Sequence, residues 1–230
     1  MHRGLIISVW VLCLGAFMEA APAGDIHGHI LVTKTLTKKR VILPSYQLRD
    51  VSLPFKPEDS SAVSELSRVA VYLERASLDP AAPVSAKLLQ QNKQFEPEIL
   101  IVPVGSTVSF PNADPIFHNV FSLSKAKHFD LGYYPDGQSR TVKFDKAGVV
   151  QVYCHLHPQM SAAILVVESP WYTRPGTDGS FSFSAIPSGT YQIVAWHKSA
   201  GFFRQRVEVQ QTGSVRVDLT IPIRDGEQVQ

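Results

Sequence analysis

Short segments in which apolar and polar residues alternate run along most of the chain, and clusters of Gly, Pro, Asp and Ser separate them. Alternation with a period of two is typical of half-buried β-strands, and many such segments indicate an all-β sandwich. Two stretches, Glu58–Leu66 and Val84–Asn92, lack a periodicity that decides between a short helix and an irregular loop. The predicted strands are Ile26–Thr35, Val69–Glu74, Glu98–Val102, Thr107–Pro111, Ser139–Phe144, Gly148–Cys154, Ala162–Glu168, Ser180–Ser184, Tyr191–His197, Arg204–Gln210 and Val215–Thr220.

The N-terminus differs from this pattern, because Leu5–Met18 is a predominantly apolar run that follows Arg3 and precedes Ala21-Pro22-Ala23. The run is short for a membrane span, and its tripartite form is that of a secretory signal. We therefore predict a signal peptide over residues 1–23, export to the periplasm and no integral membrane anchor after cleavage. Of the chain's two cysteines, Cys13 lies in this run, so the mature protein would keep Cys154 alone.

Charge limits the classes of partner. The chain has 22 Lys and Arg against 20 Asp and Glu, a formal net charge of +2. Nucleic-acid binding needs a concentrated basic face, which this balance does not predict. The dense basic cluster of Lys34 and residues 38–40 is interpreted as a solvated hairpin end rather than a docking patch.

Candidate chemistry is concentrated in residues 154–160, which read Cys-His-Leu-His-Pro-Gln-Met. Cys154, His157 and Met160 place a thiolate, an imidazole and a thioether at steps of three, and His118 supplies a second imidazole upstream. Two histidines, one cysteine and a weak axial methionine are the ligand set of a blue-copper centre. A structural zinc site would want four strong ligands, and an iron–sulfur cluster several cysteines. The alternative is a buried, inert cysteine.

The segment 95–169, about a third of the chain, resembles the cupredoxins, most closely the amicyanin and plastocyanin type. The matching elements are His118-Asn119-Val120 and Cys154-x-x-His157-Pro158-x-Met160 with the preceding Tyr153. The resemblance implies a Greek-key β-sandwich or barrel in which two loops at one end hold one type 1 copper. It also implies an electron carrier rather than an enzyme, whose protein redox partners are a dehydrogenase or reductase and a respiratory carrier.

Neighbouring residues receive supporting roles from the same resemblance. Asn119 would tie the two ligand loops together and offer its backbone N–H toward the thiolate. Pro158 removes a backbone donor and would stiffen the short loop. His157 would have its ring edge at the surface, among apolar residues, where electrons pass to a partner.

Three further histidines leave alternatives open. His155 is either an outward-facing residue at a strand end or a ligand to a second copper, as in multicopper enzymes. His27 and His29 lie two apart and would point to one face of a strand, either simply exposed or able to capture copper.

The flanking segments resemble a second family. Asp178-Gly179-x-Phe181 and Pro187-x-Gly189-x-Tyr191 match carboxypeptidase regulatory-like, transthyretin-related β-sandwich modules, and His27–Val32 with Ala70–Leu73 match their opening strands loosely. We therefore predict a split module that acts as a scaffold or binding platform, with the cupredoxin inserted. Its parts would be residues 24–85 and 171–224 around 95–169, with a tail at 225–230. Proteins of this arrangement resemble those labelled methylamine-utilisation or plastocyanin-like.

The favoured function is that of a periplasmic carrier of single electrons. The alternative with the same ligands is sequestration or delivery of copper. An enzyme with a second copper at His155, and a module whose cupredoxin fold is purely structural, are the remaining hypotheses.

Overall fold

Strands joined by tight turns build the described part of the protein, and the all-β prediction is confirmed. The computed structural model describes residues 23–33, 65–74 and 81–222. A 3-10 helix spans Glu65–Arg68. In chain order the strands are β1 (Ala23–Val32), β2 (Val69–Glu74), β3 (Ser85–Lys87), β4 (Leu89–Gln91), β5 (Gln94–Glu96), β6 (Ile99–Pro103), β7 (Ser106–Pro111), β8 (His118–Ser124), β9 (Lys127–Tyr134), β10 (Ser139–Phe144), β11 (Gly148–Tyr153), β12 (Ser161–Val167), β13 (Tyr172–Thr173), β14 (Ser180–Pro187), β15 (Gly189–His197), β16 (Gly201–Val209), β17 (Ser214–Arg216) and β18 (Leu219–Ile221).

Strands from the two ends of the chain share two sheets. Strand β1 lies between β14 and β17 and also pairs with β18. The second sheet has the order β13-β2-β15-β16. Apolar residues of both sheets, among them Ile26, Leu73, Phe183 and Ile193, pack into one buried cluster. Strands β1 and β2 therefore complete a unit whose other strands, β13–β18, come from the C-terminal part of the chain. We call it the end-built unit, and its sheet β13-β2-β15-β16 the end-built sheet.

The middle of the chain forms its own pair of sheets. One has the order β6-β12-β11-β8-β9 and the other the order β10-β7-β3. Their buried cluster includes Phe110, Val120, Phe144 and Ile164, and it also contains Cys154 and Met160. Two of the predicted ligands therefore lie in the core of the middle unit.

A third apolar cluster joins the two units. Tyr72 and Trp196 of the end-built sheet pack with Ile99 and Leu165 of the five-stranded sheet. Strand β12 is therefore covered on both faces, and its residues after Ser161 are buried without alternation. The strand that follows Met160 is held between two hydrophobic layers.

Several predicted bounds differ from the structure. Val84–Asn92 is not helical but contains β3 and β4, and Asn92 and Lys93 form the turn of the β4–β5 hairpin at φ 55° and 56°. Strands β8 and β9 were not predicted, and the predicted strand 215–220 is divided into β17 and β18. Strands β3 and β4 have three residues each and give little periodic signal, which explains the first of these errors.

Some predictions fall outside the described residues. These are the signal segment except Ala23, Cys13, the basic cluster at 34–40, most of Glu58–Leu66 and the tail at 225–230. Within the described ranges, no helix combines the length and apolar character needed to cross a bilayer.

Candidate metal centre

One sulfur and two imidazole nitrogens converge between adjacent strands. Cys154 Sγ lies 3.8 Å from His118 Nδ1 and 3.7 Å from His157 Nδ1. Potential ligand atoms of these three residues all lie within 4.8 Å of one another. The two rings meet edge to face, with centroids 4.8 Å apart. The three predicted donors are thus brought together at one point of the fold.

The strands explain this convergence. His118 is the first residue of β8 rather than a loop residue, and Cys154 follows the last residue of β11. Strands β8 and β11 pair through Phe121 and Tyr153, so their adjoining ends lie side by side. The sheet therefore positions the imidazole of His118 beside the thiol of Cys154.

The segment from Cys154 to Met160 is a tight loop closed by backbone hydrogen bonds. The N–H of Cys154 donates to the carbonyl of Met160 at 3.3 Å, and the N–H of Met160 donates to the carbonyl of His157 at 2.8 Å. Met160 is 1% exposed and belongs to the same apolar cluster as Cys154. The loop therefore brings the backbones of Cys154 and Met160 together and buries both residues, with His157 between them in sequence.

The donor set fits copper. A thiolate is a soft ligand and imidazole suits copper, whereas both are poor ligands for Mg²⁺ and Ca²⁺. A sulfur and a nitrogen that bind the same ion at about 2.3 and 2.0 Å lie no more than about 4.3 Å apart, and the S–N separations of 3.8 and 3.7 Å are within this limit. The residues present therefore match the group that the sequence predicts.

His118 is held from its far side by a carboxylate. Its Nε2 lies 2.7 Å from Asp114 Oδ2, and its side chain is fully buried. Burial raises the pKa of Asp114, but hydrogen bonds from Lys93 N–H, the His118 ring and Asn92 N–H outweigh it and hold that pKa below its usual value. Asp114 is not among the predicted site residues. A search for a carboxylate near each ligand histidine, which commonly orients the ring, would have found it.

His157 lies nearer the surface than His118. It is half-buried, and Leu156 before it is 48% exposed; Phe117, before His118, is 56% exposed. Burial lowers the pKa of His157, and the nearby His118 and Lys93 act in the same direction. A depressed pKa favours the neutral imidazole, which is the form that binds a metal.

Asn119 bridges the two segments that carry the candidate donors. It is fully buried, its Oδ1 accepts from the N–H of His155 at 3.4 Å, and its Nδ2 donates to Asp130 at 2.7 Å. Pro158 is exposed in the turn before Met160. The roles of the Asn119 backbone N–H and of Pro158 stay predictions.

His155 lies outside the three-donor group. Its ring stacks on Phe121 with centroids 3.8 Å apart, and its Nε2 is 3.7 Å from Asp130 Oδ2. His27 and His29 are exposed on one face of β1, and His29 pairs with Asp218 at 3.8 Å. Across residues 23–33, 65–74 and 81–222, His118, Cys154 and His157 are the single group of three such donors close enough to hold an ion.

Comparison with known proteins gives partial similarities. No protein-family model and no curated protein sequence matches the chain. A purple cupredoxin from Nitrosopumilus maritimus is 26% identical over 36% of this chain and 99% of its own, with a TM-score of 0.33. A copper-containing nitrite reductase from Thermus scotoductus SA-01 is 25% identical over 41% of this chain and 28% of its own, with a TM-score of 0.36. A reduced amicyanin variant is 20% identical over 42% of this chain and 98% of its own, with a TM-score of 0.34.

Proposed function

We propose that this protein is a cupredoxin that binds one type 1 copper ion and carries single electrons. His118, Cys154, His157 and Met160 would hold the ion. The observation that carries the proposal is the convergence of Cys154 Sγ with the Nδ1 atoms of both histidines, 3.7–3.8 Å away. Bound copper supplies reversible one-electron oxidation and reduction.

The protein would keep its donors in place during electron transfer. Asp114 holds the His118 ring, backbone hydrogen bonds close the loop from Cys154 to Met160, and strand pairing fixes the positions of both segments. A frame that needs little rearrangement lowers the cost of changing the charge at the site. Cys154, at 4% exposure, would act as a thiolate in a site that largely excludes water.

Electron exchange with a partner would occur at the His157 end. His157 is half-buried, and the exposed Phe117 and Leu156 lie next in sequence to the two candidate histidine ligands. A small apolar surface suits the brief encounters of redox proteins. The partners would be a periplasmic dehydrogenase or reductase and a respiratory carrier, reached after export by the predicted signal.

The end-built unit would be the split carboxypeptidase regulatory-like module, in two parts at 24–85 and 171–224. Pairing of β1 with β14 and of β2 with β15 supports this assignment. The module would act as a scaffold, because its central strands cover one face of the five-stranded sheet.

Copper retention separates this function from copper delivery or sequestration, which would use the same ligands. The test loads the protein with one equivalent of copper and cycles it by voltammetry beside a competing copper(I) chelator. A carrier keeps its copper through repeated one-electron cycles. Loss of the metal to the chelator on reduction would contradict the carrier function and favour delivery.

A further inference from the structure

We infer that Asp114 is a positioning residue for His118, held by the turn of the β4–β5 hairpin, and that its charge lowers the reduction potential of the site. This inference rests on the proposed copper function, because it concerns the same histidine. Asp114 lies between β7 and β8 and is absent from the predicted donor set.

The carboxylate of Asp114 orients the imidazole ring of His118. Asp114 Oδ2 lies 2.7 Å from His118 Nε2, and the two side chains are 9% and 0% exposed. An ionised carboxylate only accepts hydrogen bonds, so Nε2 must carry the proton. A neutral imidazole has one N–H, and the Nδ1 that faces Cys154 is therefore left with its lone pair free for a metal.

Two backbone N–H groups in the turn of the β4–β5 hairpin fix the carboxylate of Asp114. The backbone N–H of Asn92 donates to Oδ1 at 2.7 Å, and the backbone N–H of Lys93 donates to Oδ2 at 2.8 Å. The hairpin is itself fixed, because the N–H of Ala113 donates to the carbonyl of Gln90 at 2.9 Å. Two converging N–H donors favour an anion. An asparagine in this position would place its NH₂ group, which accepts no hydrogen bond, opposite one of these two donors.

The negative charge of Asp114 acts on both the His118 ring and the bound copper. A buried negative charge beside a ligand ring increases the basicity of that ring. It also stabilises copper(II) over copper(I), because the oxidised ion carries the larger positive charge. Asp114 should therefore lower the reduction potential in a way that a solvent-exposed carboxylate does not.

The test compares Asp114→Asn with Asp145→Asn by voltammetry of the copper-loaded proteins. Asp145 is the control, because its 56% exposed carboxylate pairs with Lys127 and Lys143 and precedes β11, whose other end leads to Cys154. We expect Asp114→Asn to favour the reduced form about tenfold, a rise of about 59 mV, and Asp145→Asn to have a much smaller effect. Equal shifts, or no shift for Asp114→Asn, would overturn the inference.

A second measurement needs neither copper nor an amino-acid substitution. Nitrogen NMR of the metal-free wild-type protein distinguishes the two neutral tautomers of the His118 ring. We expect the proton on Nε2, with slow exchange against solvent. A ring protonated mainly on Nδ1 would overturn the inference even if the copper site is correct. Failure of the wild type to bind copper would instead contradict the proposed function.

Discussion

The carboxylate of Glu98 lies 2.9 Å from Nζ of Lys198 and binds two different units of the protein together. Glu98 precedes β6 of the five-stranded sheet, whereas Lys198 follows β15 of the end-built sheet. Glu98 also pairs with Arg68 at 2.9 Å, and Lys198 donates to the carbonyl of Ser161 at 3.4 Å. Ser161 follows Met160, so this charged contact reaches the segment that carries a candidate ligand.

Glu98→Gln should weaken the connection between the units. The variant keeps the size of the side chain but removes the charge that Lys198 and Arg68 share, and we expect the free energy of unfolding to fall by about 1–3 kcal/mol. Urea unfolding measures the change. Glu208→Gln, at an exposed position of β16, is the control and should change stability by less than about 0.5 kcal/mol. The same small change in both variants would show that the contact adds no stability.

Gly28→Ala should destabilise the end-built unit, because there is no space for a methyl group. A Cβ at Gly28 would lie 1.7 Å from the carbonyl oxygen of Val217. We expect the free energy of unfolding, measured with urea, to fall by about 1–3 kcal/mol or more. His27→Ala changes the neighbouring exposed position of β1 and should be nearly neutral. A neutral Gly28→Ala would contradict the packing of β1 against the C-terminal strands.

The candidate donors could be predicted from the sequence because their chemistry depends on residue type and spacing, and the fold brings His118, Cys154 and His157 together. Cys154, His157 and Met160 lie on one short loop, and the pairing of β8 with β11 is what adds His118. Asp114 lies only four residues before His118, but its fixation could not be predicted, because it depends on a hairpin about 20 residues away in sequence. That hairpin comes from polar residues in Val84–Asn92 and beyond, where propensity favours no single structure and tertiary contacts decide the conformation.

Stability should decrease on acidification because of His197. This side chain is fully buried, its Nδ1 accepts hydrogen bonds from the N–H groups of Ser199 and Ala200, and its Nε2 lies 3.1 Å from Glu65. Burial lowers the pKa of His197 below its usual value, although Glu65 acts in the opposite direction. The unfolded chain therefore binds a proton at His197 near pH 6.5, before the folded protein does. The free energy of unfolding should fall as the pH decreases below about 6.5.

The variant His197→Asn tests this pH dependence. Urea unfolding at about pH 7.5 and about pH 5.5 should show a smaller difference between the two pH values in the variant than in the wild type. His128→Asn is the control, because His128 is exposed on β9 and should leave the difference unchanged. If the difference in the free energy of unfolding between the two pH values is the same in His197→Asn as in the wild type, the pH dependence does not come from His197.

Met160→Leu should change the potential but not the type of site. Leucine fills a similar volume, so the cost in stability should stay below about 1.5 kcal/mol. It removes the thioether, whose weak donation stabilises copper(II), and we therefore expect a higher reduction potential with the visible band retained. Voltammetry and absorption of the copper-loaded variant measure both. A potential equal to that of the wild type would show that Met160 is not a ligand.

The absorption spectrum of the protein with one equivalent of copper(II) tests the central claim most directly. The donor geometry of Cys154, His118 and His157 predicts an intense visible band from charge transfer between the thiolate and copper(II). The band should saturate at one copper per chain, vanish in Cys154→Ser and persist in His155→Ala. A wild-type protein without this band, or a band that survives Cys154→Ser, would contradict a type 1 copper centre.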